Sequence, residues 1–115
     1  MELLQIMVIP LLMIVFGLYL RSGGPKKINS WSGYRTSLSK KNNETWLFAQ
    51  VHGGKVWVLL GSILLILSIG AALLVEHTSL ILIVGVVQMA ALLLSPIVTE
   101  IALRKKFDEN GERRG

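Results

Sequence analysis

The chain has 115 residues, 52% of them hydrophobic and 17% charged, with a formal charge of +5. That length allows one domain at most, and a soluble domain of this size needs more polar surface than this one carries. There are no cysteines, which excludes disulfides, thiol catalysis, thiolate metal sites and S-acylation, and two histidines, His52 and His77, do not make a metal site alone.

The apolar residues fall into three blocks. They predict an all-α integral membrane protein with three transmembrane helices and an interfacial amphipathic helix in the first, cytoplasmic loop. The first block fills residues 1–21. From Leu3 to Leu20 it covers about 27 Å at 1.5 Å per residue, enough for a bilayer core. It does not read as a signal peptide, because no positive charge precedes it and Arg21-Ser22-Gly23-Gly24 lacks an Ala-x-Ala site. Pro10 predicts a bend, which packing within a membrane tolerates.

Residues 22–55 are too long for a plain connector. Ser22-Gly23-Gly24-Pro25 reads as a turn-rich exit, and Gly33 permits a sharp turn or a close approach to a helix. Lys40 to His52 reads as a helix with Ser39 or Asn43 as N-cap, and Glu44 lies in its first turn, where the dipole favours an anion. Gly53-Gly54 is expected to end or kink it, and Trp46 to turn toward the bundle. Gly33-Tyr34-Arg35-Thr36 and Glu44-Thr45-Trp46 then form a docking or sensing surface, with Arg35 and Glu44 as a candidate ion pair. The plain alternative is a solvated basic connector.

The second span, residues 56–75, offers Gly61, Ser68 and Ala72 as a packing face for the third. Only Glu76-His77-Thr78-Ser79 lies between them, which forces an antiparallel hairpin. In the third span, residues 80–103, Gly85, Gln88, Leu92, Ser95, Pro96 and Thr99 share roughly a 100° arc. Gly85, Ser95 and Thr99 suit close helix approach, and Gln88 can hydrogen-bond across helices. Glu100 near the cytoplasmic end needs a partner; Arg104 at i+4 is the simplest, with Arg35 and Lys55 as alternatives. These residues suit helix packing with one ion pair or, more sharply, a polar cleft open to the cytoplasm that binds a ligand or peptide. The charged tail, residues 104–115, is expected to fray from Phe107 onward.

All twelve Lys and Arg residues lie in or beside the first loop or after the third span. The positive-inside rule therefore places the N-terminus outside and the loop and tail in the cytoplasm. Tyr19, Trp31, Tyr34, Trp46 and Trp57 fall at the same boundary, where half-apolar, half-wet rings are favoured. The charge thus serves orientation and attraction to anionic lipid headgroups; nucleic acid is not an expected partner, since no basic folded module stands outside the spans.

Asn29-Ser30-Trp31-Ser32-Gly33-Tyr34-Arg35-Thr36, then Ser39, then Asn43-Glu44-Thr45-Trp46, Ala49 and Gly54-Lys55, resembles the pattern of the SdpI/YfhL family. The resemblance covers about residues 20 to 103. It implies a toxin-immunity role in the bacterial cytoplasmic membrane, as in the immunity protein against a secreted killing peptide that typifies the family. In that member it also implies recruitment of a cytoplasmic repressor, but the chain has a single span ahead of the shared domain where that protein has several. The candidate binding residues are Asn29, Gly33, Tyr34, Arg35, Thr36, Ser39, Glu44, Trp46, Lys55, Gln88 and Glu100. No catalytic constellation, metal or cofactor is expected: paired acids and Ser/His or Ser/Lys arrangements are missing from the spans. The expected partners are membrane lipids, a peptide toxin or its target, a cytoplasmic regulator and further copies of the chain. The alternative is a small transporter or channel subunit acting as an oligomer.

Overall fold

The computed structural model describes residues 2–28, 34–74 and 79–114. Asn29, Trp31 and Gly33 lie outside the described residues, as do residues 75–78. Among the described residues there are three helices: α1 (Glu2–Arg21), α2 (Asn43–Leu74) and α3 (Ser79–Lys106). Each is rich in Leu, Ile and Val, and outside its ends and prolines satisfies its backbone by its own hydrogen bonds, as hydrocarbon demands.

Helices α1 and α2 pack antiparallel through glycine. A Cβ on Gly61 would meet the Pro10 carbonyl oxygen at 2.9 Å, and one on Gly17 would meet the Gly54 carbonyl at 2.9 Å. At Gly54 the nearest groups are the Arg21 backbone nitrogen and the Gly17 carbonyl. Backbone thus lies against backbone, the way helices gain van der Waals contact where lipid offers no hydrophobic drive. Gly61 therefore serves α1, not α3 as its spacing suggests. Gly85 has nothing within 4 Å of where a Cβ would sit, so it draws no helices together.

The predicted interfacial helix and second span are one continuous helix, α2, of 32 residues. Gly53 and Gly54 neither end nor break it. A glycine ends a helix by taking positive φ, and among the described residues only Gly23, Gly24 and Gly111 do so. Gly53 and Gly54 stay helical and buried, and at Gly54 the absent side chain lets α1 come close. The N-cap of α2 is Asn42, not Ser39 or Asn43: Thr45 N–H donates to Asn42 Oδ1 at 2.9 Å and Asn42 N–H donates to Thr45 Oγ1 at 3.1 Å. At the end of α1 the chain turns through Gly23 (φ 120°) and Gly24 (φ 60°), with Gly24 N–H donating to the Tyr19 carbonyl at 3.1 Å.

Each proline inside a helix strips one carbonyl of its usual donor, and each loss is made good by a side chain. Pro10 cannot serve the Ile6 carbonyl; Gln88 of α3 donates to it at 2.6 Å. Pro96 cannot serve the Leu92 carbonyl; Ser95 Oγ donates to it at 2.8 Å.

Only 17% of the most apolar stretch of α2 and 11% of that of α3 is buried inside the protein. Ile66, Leu67, Leu73, Leu82, Val86 and Leu93 are each more than half exposed. Core helices of a soluble protein bury such residues, so these two helices, long and apolar enough to cross a bilayer, belong to a membrane protein. The described apolar run of α1, Gln5–Arg21, is shorter.

The tail does not fray. Phe107 is wholly buried against Leu38, Ala49 and Leu103, with Phe48 edge-on at 5.7 Å. Lys106 Nζ lies 4.8 Å from the Phe48 ring centre. Phe107 bridges to Arg113, Asn42 Nδ2 donates to the Gly111 carbonyl at 2.8 Å, and Arg114 Nε donates to the Arg104 carbonyl at 2.7 Å. One aromatic anchor and a set of backbone bonds thus fold the tail back over the start of α2.

Candidate functional site

At the end of the bundle where α1 finishes, α2 begins and α3 finishes, a cleft of about 560 Å³ opens. Phe16, Tyr19 and Leu20 form its α1 wall, and Ser95, Pro96 and Thr99 its α3 wall. Gly53 and Trp57 of α2 lie behind, and Tyr34, Arg35 and Thr36 of the loop cover it. Phe16, Tyr19 and Pro96 are exposed, so the cleft is open at its side.

Tyr34 fastens the loop over this cleft. Its backbone is held by the fully buried Gln50 amide: Tyr34 N–H donates to Gln50 Oε1 at 2.8 Å and Gln50 Nε2 donates to the Tyr34 carbonyl at 2.7 Å. Its hydroxyl donates to the Pro96 carbonyl at 2.8 Å and lies 3.1 Å from Glu100 Oε1. Burial, and then the Glu100 carboxylate, push that phenol well above its ordinary range, so it stays a neutral donor. The ring lies beside Gly53 at ordinary packing distance; a Cβ there would stand 3.6 Å from Tyr34 Cδ2.

The turn behind Tyr34 is self-capped. Thr36 N–H donates to Ser39 Oγ at 2.7 Å, Ser39 N–H donates to Thr36 Oγ1 at 3.2 Å, and Ser39 Oγ donates to the Thr36 carbonyl at 2.8 Å. Deeper in the cleft, Trp57 Nε1 donates to Ser95 Oγ at 2.9 Å, so the hydroxyl that serves the Leu92 carbonyl orphaned by Pro96 also fixes the indole. His52 Nδ1 lies 2.9 Å from Thr99 Oγ1, and its ring stacks on Phe48.

Of the candidate residues, Tyr34, Arg35 and Thr36 line the cleft and Glu100 joins it through Tyr34. Glu100 has the expected i+4 partner, Arg104, at 3.5 Å. Ser39 shapes the turn without touching the cleft. Trp46 is buried and turned inward as expected; its Nε1 donates to the Pro25 carbonyl at 2.7 Å, bracing the exit of α1. Glu44 does not pair with Arg35. It meets Arg113 at 2.7 Å, because the docked tail brings that guanidinium to the start of α2. Lys55 is exposed on α2 and is not the partner of Glu100. Gln88 lies elsewhere, on Ile6 and, at 3.0 Å, Ser68 Oγ. Asn29 and Gly33 fall outside the described residues. Sequence reasoning missed Gln50, Trp57 and the α1 wall; a lone Gln one turn after Trp46 in an apolar helix was the available signal for Gln50. Among the described residues no three His, Asp or Glu side chains gather as a metal site.

The model of the SdpI/YfhL protein family matches residues 26–98 of the chain. That interval runs from the loop through α2 to just past the proline of α3 and contains Tyr34, Arg35, Trp57 and Pro96. The chain belongs to this family. No curated protein and no solved structure matches it.

Proposed function

We propose that this member of the SdpI/YfhL family protects the cell membrane against a secreted, membrane-active peptide, by binding the peptide or its membrane target rather than by catalysis. In this reading all three helices span the bilayer, with the N-terminus outside and the loop and tail in the cytoplasm. The grouping of Lys and Arg at the end bearing the cleft supports that orientation. The observation that carries the proposal is Tyr34: it ties the loop to Pro96 and Glu100 of α3, so the family's loop and its last helix make one cleft.

The test is tolerance in a sensitive cell. Expression of the chain raises survival against a membrane-active peptide toxin. Arg35→Ala and Tyr34→Phe each remove most of that gain at unchanged membrane abundance. Protection that survives both changes would show that the cleft is not the working surface.

A further inference from the structure

The polar groups of the cleft are largely committed to one another. Ser95 Oγ serves the Leu92 carbonyl and the Trp57 indole, Thr99 Oγ1 meets His52, and the Tyr34 hydroxyl serves Pro96 and Glu100. What remains for an occupant is mostly aromatic and aliphatic wall, which hydrocarbon satisfies without hydrogen bonds.

The rim is different. Arg35 is exposed there, and among the described residues no carboxylate pairs with it, since Glu44 is taken by Arg113 and Glu100 by Arg104. Tyr19 and Tyr34 border the same mouth, and such rings sit at headgroup depth. A hydrocarbon slot with one uncompensated guanidinium at its polar edge complements an anionic amphiphile, and a guanidinium meets a phosphate with two parallel hydrogen bonds.

Size separates the two candidate amphiphiles. A helix about 10–12 Å across fills roughly 400–600 Å³ for each turn, so 560 Å³ seats about one turn of a helical peptide. That is a poor grip for a membrane-active helix. A single acyl chain is thinner, and the open side between α1 and α3 admits it from the surrounding lipid.

We infer that the cleft holds one acyl chain of an anionic glycerophospholipid, with the phosphate on Arg35. This rests on the reading of the cleft as the working site and names its ligand as a membrane component. The purified full chain is titrated with dioleoyl phosphatidylglycerol and, separately, dioleoyl phosphatidylcholine, and one-to-one adducts are counted by native mass spectrometry. Phosphatidylglycerol is retained in preference, Arg35→Ala weakens its retention about tenfold, and Arg35→Lys falls between. Bromine on the acyl chain quenches tryptophan fluorescence, and Trp57→Phe removes most of the quenching by reporting on the slot itself. Equal retention of both lipids untouched by Arg35→Ala overturns the inference. So does quenching that Trp57→Phe leaves unchanged, or retention of an amphipathic helical peptide but of neither lipid. Lipid retention is read on purified protein and tolerance in cells, so the two proposals fail separately: protection without lipid preference sinks only the inference, and lipid preference without protection sinks only the immunity role.

Discussion

Among the described residues two polar junctions cross this bundle, and they differ in what they leave open. At the deeper one, Gln88 joins Ile6 and Ser68; Gln88 and Ser68 are buried, and Gln88 replaces the donor that Pro10 lacks. At the other, Tyr34, Ser95 and Glu100 also cross-link elements and also answer a proline, but around a cleft of about 560 Å³. A polar side chain in a membrane helix is thus no guide to a site by itself. The first junction is filled and acts as a lock; the second holds space apart and so can take a ligand.

The largest effect that bears on this contrast is expected from Gln88→Leu. It strands the Ile6 carbonyl and removes the bond to Ser68, which costs about 1–3 kcal/mol. The melting temperature in detergent falls, while protection per folded molecule is kept. A loss of protection at full stability would make Gln88 part of the site and erase the distinction.

Tyr34→Phe has a smaller cost, about 1 kcal/mol, because it removes one hydroxyl at a half-open position. Its signature is local: amide exchange over residues 34–39 speeds up, while exchange in the middle of α2 does not. Uniform loosening of the bundle would show that the loop is structural rather than a cover.

The smallest effect is in pH. Burial and Glu100 raise the Tyr34 phenol above its unfolded value of about 10. Its contribution to stability is therefore fully present below pH 10 and is lost as pH rises through the higher folded value. Between pH 9 and pH 11 the natural chain loses more thermal stability than Tyr34→Phe does. Parallel losses would mean that the phenol is not held as described.

Sequence reasoning found those parts of the molecule whose causes are local. Apolar runs gave the helices, Gly23-Gly24 gave the exit turn, Glu100 found Arg104 one turn on, and Gly-Tyr-Arg-Thr marked the loop that covers the cleft. It failed where one residue type serves two ends. A Gly-Gly pair stops a helix or lets another helix come close, and only the position of α1 decides between these for Gly54. It failed again at the tail, where a polar stretch looked unconstrained. Asn42 and Gly111 meet across 69 positions, and Glu44 finds Arg113 only because Phe107 is already buried. A single Phe among charges was the hint, but it named no destination.

The unbroken length of α2 carries a mechanical consequence. Thirty-two residues make a rod of about 48 Å, against roughly 30 Å of hydrocarbon, so in the proposed orientation about a third of it stands clear of the bilayer interior. Loop and tail are bolted to that third through Gln50 and Glu44, and to its cap through Asn42. In that orientation, with no joint to absorb torque, a tilt forced on the rod within the lipid would swing this collar in the aqueous phase, and the stiff shaft would act as a lever between the two.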